Sequence, residues 1–406
     1  MLVDYQCPQC GAPATIEETD RLFSCGFCRV KSFLLSRVYR YLLPCCNAGN
    51  RALVFFPYWR FKGIFFSCTR QGIGYRILDI SHQAVQCDLF PASVGLRSQA
   101  MKLRFVSPAT QGYFLTPTLP FKDVLDAIQN RYEQDLAPPV FHRDFIGDTL
   151  SLLYSPFYVD HGIVDAVLDS PICGELPLNF DLFALPGGDT DWTLRFIAAQ
   201  CPTCGWDLDG DRDTLVLHCK NCDSAWQAGK AKFTPLPLVH VPAETDDEVA
   251  WLPFWRIQAQ SQGVRLASYA DFARLANLPR VIQTKWETQP FMFWSPAFKV
   301  RPRDFLRLSR RIILEQPRGD WPPTIPEGFL YPVTLPVTEA AGALKINLAA
   351  FMKPPGLLYP RLSEIQIKPE VSTLVYFPFQ LKGHDLVNTA LQIRINRQTL
   401  VFARSL

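Results

Sequence analysis

Two pairs of closely spaced cysteines, present twice in the chain, constrain the fold more than any other feature. Each set contains two C-x-x-C pairs that are separated by fourteen residues. The first set is Cys7, Cys10, Cys25 and Cys28, and the second is Cys201, Cys204, Cys219 and Cys222. This spacing allows four thiolates to surround one ion tetrahedrally, which is the geometry of a closed structural zinc site. The sequence therefore predicts eight metal ligands and two Zn²⁺ ions.

The residues around these cysteines resemble those of the zinc-ribbon family. The first pairs read Cys-Pro-Gln-Cys-Gly and Cys-Pro-Thr-Cys-Gly, and the second pairs read Cys-Gly-Phe-Cys and Cys-Lys-Asn-Cys. The resemblance covers only the two ribbons, and it implies a rubredoxin-like knuckle fold with all eight cysteines as ligands. Zinc ribbons bind nucleic acid, join protein assemblies or stabilise larger domains, so the resemblance implies no single function.

Iron is the alternative metal, because it also accepts four thiolates. Glycine follows Cys10 and Cys204, as in rubredoxin-type iron sites. However, Arg29 and Asp223 follow the second pairs, and the pairs lie closer together than in that family. Zinc is therefore favoured, and electron transfer by iron remains an alternative.

Further landmarks recur in the same order in both halves and indicate an internal duplication. Aromatic runs interrupted by proline lie around Pro57, Pro108 and Pro156, and again around Pro253, Pro296 and Pro378. A helix with apolar residues at helical spacing is predicted after Pro120 and, at the same length, after Pro302. The predicted fold is β-rich α+β, in which each half joins a four-cysteine zinc ribbon to an antiparallel-sheet domain with one main helix.

These landmarks predict four domains. The predicted ribbons are residues 1–35 and 196–234, and the predicted β-rich α+β domains are residues 36–190 and 235–406. The chain contains 34 prolines and 30 phenylalanines among 406 residues, which favours short strands and bends over long helices.

Composition points to a reducing compartment. The thirteen cysteines are an odd number, and eight of them have metal spacing, so a disulfide framework is not expected. The first knuckle begins soon after Met1, so no signal peptide is expected, and no apolar run reaches the length of a membrane span. We expect a cytoplasmic protein without a transmembrane segment, which leaves peripheral membrane contact open.

The sequence contains no arrangement typical of a catalytic site, and we expect a protein that is not an enzyme. The acidic run 207–213 resembles a calcium loop, but Val216 stands where that loop has glutamate. His218 precedes Cys219 and is interpreted as a strand residue, with metal ligation as the alternative. Adjacent Cys45 and Cys46 are interpreted as two buried thiols, with a redox-active pair as the alternative.

Two groups of residues are candidates for an interaction surface. Trp59 and Trp255 occupy the same position in the two halves, and arginine follows each of them. They belong either to the core or to an aromatic–arginine contact surface. The helix after Pro302 carries a basic stripe of Arg303, Arg307, Arg310 and Arg311, which forms either a solvated face or a patch for an anionic partner.

The function predicted from these features is a zinc-stapled scaffold or adaptor that binds other proteins, as a subunit of a larger assembly. The alternative is a nucleic-acid-binding protein that uses the ribbons and the helix from Arg303 to Arg311. The net charge of +3 is small for nucleic-acid binding, which favours the protein-binding role.

Overall fold

The computed structural model describes residues 2–35, 38–45, 49, 51–174, 176–177, 181–229, 231–244 and 247–404, without the side chains of 148, 149 and 183. The fold is mixed and rich in strands, with 39% strand and 19% helix. The chain divides into two compact units. Unit 1 comprises Met1–Gly63, Leu78–Gln134 and Thr149–Ala198, and unit 2 comprises Ile64–Ile77, Asp135–Asp148 and Ala199–Leu406.

The chain up to Ala198 is mainly strand. Its strands are β1 (Leu2–Gln6), β2 (Pro13–Glu17), β3 (Leu22–Ser24), β4 (Lys31–Leu34), β5 (Tyr39–Leu42), β6 (Val54–Thr69), β7 (Gly72–Gln83), β8 (Leu103–Phe105), β9 (Tyr113–Leu115), β10 (Val140–Asp160), β11 (Gly162–Asp165), β12 (Ser170–Cys173), β13 (Gly187–Gly188) and β14 (Phe196–Ala198). Its helices are α1 (Arg97–Ala100) and α2 (Phe121–Gln134), and a 3₁₀ turn spans Leu182–Ala184.

Eleven of these strands form a large sheet with the order β13-β9-β6-β10-β5-β8-β1-β2, with β7 beside β6, and with β11 and β12 following β10. The strands β14, β4 and β3 form a separate sheet. The pairs β1–β8, β5–β10 and β6–β9 are parallel, whereas β1–β2 and β10–β11 are antiparallel. The sheet is therefore mixed, and the prediction of an antiparallel sheet is wrong in this respect. Turn signals in a sequence indicate hairpins, whereas parallel neighbours are distant in sequence and leave no such signal.

Packing of the first aromatic run explains why it forms a strand. Residues 54–58 of β6 are all buried, and Phe56 and Tyr58 are 0% exposed. Pro57 lies inside this strand, where it lacks an N–H to donate, but its carbonyl still accepts from the backbone N–H of Ala84 at 2.9 Å. On α2, Val124 and Ile128 are buried, which confirms the helix predicted after Pro120.

The chain from Ala199 onwards combines strands with several short helices. Its strands are β15 (Val216–Cys219), β16 (Ser224–Ala228), β17 (Phe233–Leu236), β18 (Leu238–His240), β19 (Val249–Gln262), β20 (Phe293–Pro296), β21 (Phe329–Leu330), β22 (Gln366–Lys382), β23 (Asp385–Asn388) and β24 (Ile393–Asn396). Its helices are α3 (Tyr269–Leu275), α4 (Thr284–Thr288), α5 (Pro302–Glu315), α6 (Val337–Gly342), α7 (Leu344–Ala349), α8 (Pro355–Leu358) and α9 (Arg397–Ala403), with a 3₁₀ turn at Tyr359–Ser363.

The main sheet of this part has the order β20-β19-β22-β23-β24, and β18 and β21 lie parallel to β22 and β19. The helix predicted after Pro302 is confirmed as α5, which buries Phe305, Ile312 and Ile313. With 14 residues, α5 is the longest helix of this part among the described residues, and the shorter helices that accompany it were not predicted. These helices are too short for sequence periodicity to identify them. In the described residues, no helix has both the length and the apolarity needed to cross a membrane.

Candidate metal centres

Each set of four cysteines converges on one point. The four Sγ atoms of each set lie within 4.8 Å of one another. In the first set, Cys7 lies 3.8 Å from Cys28 and Cys10 lies 3.6 Å from Cys25, measured between Sγ atoms. A disulfide would bring two sulfurs to about 2.05 Å, whereas a tetrahedron with metal–sulfur bonds of about 2.3 Å has edges of about 3.8 Å. The distances therefore fit four ligands around one metal ion.

The second set has the same arrangement. Its Sγ distances are 3.5 Å between Cys201 and Cys222 and 3.4 Å between Cys204 and Cys219. In each set the first cysteine of each pair is buried, and the other two are exposed or half-buried. With four protein ligands the ion has no open coordination position, so such a centre stabilises structure and does not activate water.

Tight turns of the backbone hold the cysteines in place. In all four knuckles the residue after the second cysteine has a left-handed backbone, with φ of 72° at Gly11, 61° at Arg29, 73° at Gly205 and 52° at Asp223. Glycine adopts this conformation without strain. Asp223 is held in it by a further contact, since its Oδ1 accepts from the backbone N–H of Ile325 at 2.7 Å.

The same turns favour thiolates. The backbone N–H of Cys28 donates to Cys25 and lowers the pKa of that thiol to about 6. Burial raises the pKa of Cys201, but hydrogen bonds from the backbone of Cys204 and Thr203 outweigh it and lower the pKa to about 6. A thiolate is the form that binds metal, so the lowered pKa values favour metal binding by these two cysteines. Desolvation and the neighbouring thiols raise the pKa of Cys28 to about 11 and that of Cys222 to about 12.

The alternative ligands near the second set have other partners. Nε2 of His218 lies 3.2 Å from the hydroxyl of Tyr376, and burial lowers the pKa of this histidine to about 4. It is not part of the thiol cluster, which agrees with its interpretation as a strand residue. In the calcium-like loop, Asp211 and Asp213 both pair with Arg404, so these carboxylates serve an ion pair.

A buried ion triad connects the first ribbon to the sheet of unit 1. Nη1 of Arg60 donates to Oε1 of Glu18 at 2.6 Å, and Glu18 lies between the two cysteine pairs. Nε and Nη2 of Arg60 donate to the two carboxylate oxygens of Asp79, both at 2.7 Å. The arginine side chain is only 2% exposed. Arg60 lies inside β6 and is part of the core.

The two tryptophans do not form the predicted contact surface together, because they differ in exposure. Trp255 is 1% exposed and is a core residue, so it is removed from that surface. Trp59 is half-buried, and Nε1 donates to the carbonyl of Leu119 at 2.8 Å. The arginine after Trp255, Arg256, lies over the ring of Trp321 at 5.6 Å.

Beside the cysteine clusters lie two exposed aromatic residues that sequence reasoning missed. Phe27 lies between Cys25 and Cys28 and is 73% exposed, and Trp206 follows the Cys204 knuckle and is 60% exposed. Their positions within and beside the C-x-x-C pairs could have indicated this exposure. The turn that points two cysteines at a metal leaves the residues between and beside them facing away from it.

The four arginines of the predicted stripe lie on the outer side of α5. Arg303 and Arg310 are exposed. Arg307 pairs with Asp304 at 3.1 Å, and Nε of Arg311 donates to the carbonyl of Leu391 at 2.9 Å.

One polar group in unit 2 contains a cysteine and a histidine that are not metal ligands. Cys68 is 0% exposed, and burial raises the pKa of its thiol to about 12, so it is not a nucleophile. Burial, together with nearby Lys345, lowers the pKa of His142 to about 4. Of the predicted thiol pair, Cys45 is half-buried, and Cys46 lies outside the described residues.

The geometry thus defines two four-thiolate centres that could each hold a metal ion, within a strand-rich mixed fold. Comparison of the chain with protein-family models, curated proteins and solved structures finds no significant match. The functional conclusion therefore depends on the residues of the chain itself.

Proposed function

We propose that this chain is a non-enzymatic, zinc-stapled scaffold or adaptor that binds other proteins and works as a subunit of a larger assembly. The observation that carries the proposal is an exposed aromatic side chain beside each closed metal centre, Phe27 in one and Trp206 in the other. Large aromatic residues dominate the binding energy of protein interfaces. A closed metal centre gives each of them a rigid support.

Rigidity matters because binding costs conformational entropy. An aromatic residue on a turn that is already fixed loses little further freedom when a partner covers it. At Trp206 the backbone is fixed by the hydrogen bond from the N–H of Cys201 to its carbonyl, at 2.7 Å. At Phe27 the backbone N–H points to Sγ of Cys25, at 3.4 Å.

Zinc is the metal that we propose for both centres. It has no redox chemistry and prefers tetrahedral sulfur coordination, and its role here would be to supply folding energy to ribbons that bury little apolar surface. Iron would fit the same four sulfurs. Metal analysis of the purified protein separates the two, since a coloured, iron-containing protein would replace the scaffold proposal with electron transfer.

We further propose that the chain arose by internal duplication. The support is a pair of matching hydrogen bonds that tryptophan side chains donate to backbone carbonyls. Nε1 of Trp59 donates to the carbonyl of Leu119 at 2.8 Å, and Nε1 of Trp255 donates to the carbonyl of Leu335 at 2.9 Å. Each tryptophan lies two residues after the proline of its strand.

A second match refines the alignment of the two halves. The backbone N–H of Ala84 donates to the carbonyl of Pro57 at 2.9 Å, and that of Ala297 donates to the carbonyl of Pro253 at 3.0 Å. Together with the tryptophan contacts, this aligns Pro120 with Pro336, so α2 corresponds to the helices that begin with α6. The alignment of α2 with α5, which sequence alone suggested, is replaced in this proposal.

The interaction proposal is tested by native mass spectrometry of the protein isolated at its natural abundance. We expect a stoichiometric complex that dissociates when Phe27→Ala and Trp206→Ala are combined. The matched control combines Leu96→Ala and Val281→Ala, which are 70% and 89% exposed and are distant in sequence from both cysteine sets. A protein that is always a solitary monomer, or a complex that both double variants weaken equally, would contradict the proposal.

Nucleic-acid binding by the ribbons and α5 is the competing function. It predicts affinity for RNA or DNA that falls steeply with salt, because phosphate contacts release counterions. The double variant Arg307→Ala/Arg311→Ala would then weaken binding to all sequences alike. Tight, salt-dependent binding with this behaviour would favour nucleic acid over the scaffold.

A further inference from the structure

The arginines of α5 do not form a flat stripe but border a pocket of unit 2. The pocket has a volume of about 870 Å³, and its lining includes Arg307, Arg310, Arg311 and Lys353. This volume lies in the range of about 300–1,000 Å³ that is typical of small-molecule sites. We propose that the pocket binds a small organic phosphate that carries at least two negative charges.

The helix geometry explains why these arginines face one place. Arg307, Arg310 and Arg311 are spaced i, i+3 and i+4, so they lie on the same face of α5. The opposite face is anchored in the core by Phe305 and Ile312. The helix therefore cannot turn its cationic face away from the pocket.

Two of the arginines are held in position by neutral groups of β24 and of the turn that precedes it. Nη2 of Arg307 donates to the carbonyl of Arg394 at 3.2 Å. Nε of Arg311 donates to the carbonyl of Leu391 at 2.9 Å, and its Nη2 donates to the side chain of Gln392. Carbonyl partners orient a guanidinium without cancelling its charge, which is the kind of preorganisation that favours anion binding.

The charge of the pocket is only partly compensated. Arg307 has Asp304 at 3.1 Å, and Arg311 has Glu315 at 3.6 Å. Among the described residues, neither Arg310 nor Lys353 has a carboxylate within ion-pair distance, and both are exposed. These two cations therefore keep a charge that no carboxylate compensates, next to two guanidinium groups that are already placed. Arg310 is itself positioned over the ring of Phe351, 5.8 Å from its centroid.

The remaining lining favours an organic phosphate over an inorganic ion. Ile73, Leu306, Leu314 and Tyr359 contribute apolar surface to the pocket, and Gln71 contributes a polar side chain. Guanidinium groups match the oxygens of phosphate in two-pronged hydrogen bonds, and the apolar wall suits the carbon body of the ligand. A concave site of this size also suits a small molecule better than an extended nucleic acid, which needs a long basic surface.

The test is isothermal titration of the purified full chain with pyrophosphate and with ADP. Binding with a stoichiometry of one is expected for both, and tighter for ADP because of its organic part. The variant Arg310→Gln/Lys353→Gln should weaken both by at least about tenfold. The charge-matched control is Arg301→Gln/Arg303→Gln, two exposed arginines outside the pocket lining, which should leave the affinities within about twofold. All four changed residues are exposed, and circular dichroism checks that both variants keep their fold.

Several results would overturn the proposal. These are the absence of binding at millimolar pyrophosphate and ADP, an equal loss in both double variants, and RNA binding that is tighter than ADP binding and unaffected by the pocket variant. Soluble inositol trisphosphate and vesicles with the same headgroup on a lipid distinguish a free ligand from a membrane-bound one. Binding of either probe would support the proposed pocket if the variant Arg310→Gln/Lys353→Gln abolishes that binding. The proposal is independent of the scaffold function, because these variants leave Phe27 and Trp206 unchanged.

Discussion

Replacing Arg60 by methionine is expected to destabilise unit 1 by about 3–5 kcal/mol. The guanidinium is 2% exposed, and the carboxylates of Glu18 and Asp79, which accept its hydrogen bonds, are 4% and 20% exposed. Methionine fills much of the same volume but leaves the buried carboxylate of Glu18 and the half-buried carboxylate of Asp79 without the cation that pairs with them. Breaking a buried ion network by removing one partner costs about 3–5 kcal/mol for this reason.

The loss of stability is measured as a decrease of the melting temperature in thermal unfolding. For a unit of this size each kcal/mol shifts the melting temperature by about 2–4 °C, so the expected decrease is about 6–20 °C. Hydrogen exchange in residues 54–63, the part of β6 that belongs to unit 1, assigns the transition to that unit. The matched control is Lys102→Met, which removes an exposed pair with Asp4 at 2.8 Å and should cost less than about 1 kcal/mol.

A triple variant separates charge from packing. Combining Arg60→Met with Glu18→Gln and Asp79→Asn leaves no unpaired charge, so it should recover much of the lost stability. The reasoning is refuted if Arg60→Met costs no more than Lys102→Met. It is also refuted if the triple variant is as unstable as the single one, because the loss would then come from packing alone.

Two further predictions concern metal and pH. Cys201→Ser should remove the protection of β15 and β16 against hydrogen exchange, because metal binding and ribbon folding are coupled. The control Cys173→Ser, which lies outside both clusters, should leave this protection unchanged. Equal protection in both variants would contradict a structural role of the metal. Burial lowers the pKa of His142 from 6.5 to about 4, so the folded state resists its protonation. The contribution of His142 to the stability of unit 2 should therefore fall by up to about 3 kcal/mol as pH decreases from 6.5 towards 4. Burial raises the pKa of neighbouring Asp144 to about 6, which acts in the opposite direction over the same pH range. The contribution of His142 is therefore measured as the difference between the urea unfolding curves of the unchanged protein and of His142→Gln.

The metal centres and the two long helices could be predicted because their signals are local. Four ligands in two C-x-x-C pairs need only a short stretch of chain, and the structure brings together all eight predicted cysteines. A proline at the first turn and apolar residues at helical spacing were enough for α2 and α5.

What could not be predicted depends on residues that are distant in sequence. The partners of Arg60 lie 42 and 19 residues away, so nothing beside the arginine indicates that it is buried. The pocket on α5 needs Lys353 and Gln392 as well as the helix, and only the folded chain places them together. The parallel strand pairs could not be predicted for the same reason, because the paired strands are distant in sequence.

The first ribbon has a consequence for anyone who shortens this chain. Its strands β1 and β2 end the order of the large sheet, where β1 pairs with β8. Removing residues 1–35 would therefore turn β8 from an interior strand into an edge with unpaired backbone groups. Such an edge recruits strands from other molecules. A deletion planned as the removal of a small appendage would be expected to yield aggregates. The strands of the N-terminal ribbon are therefore as important to the protein as its metal centre, because they cover the edge of the large sheet.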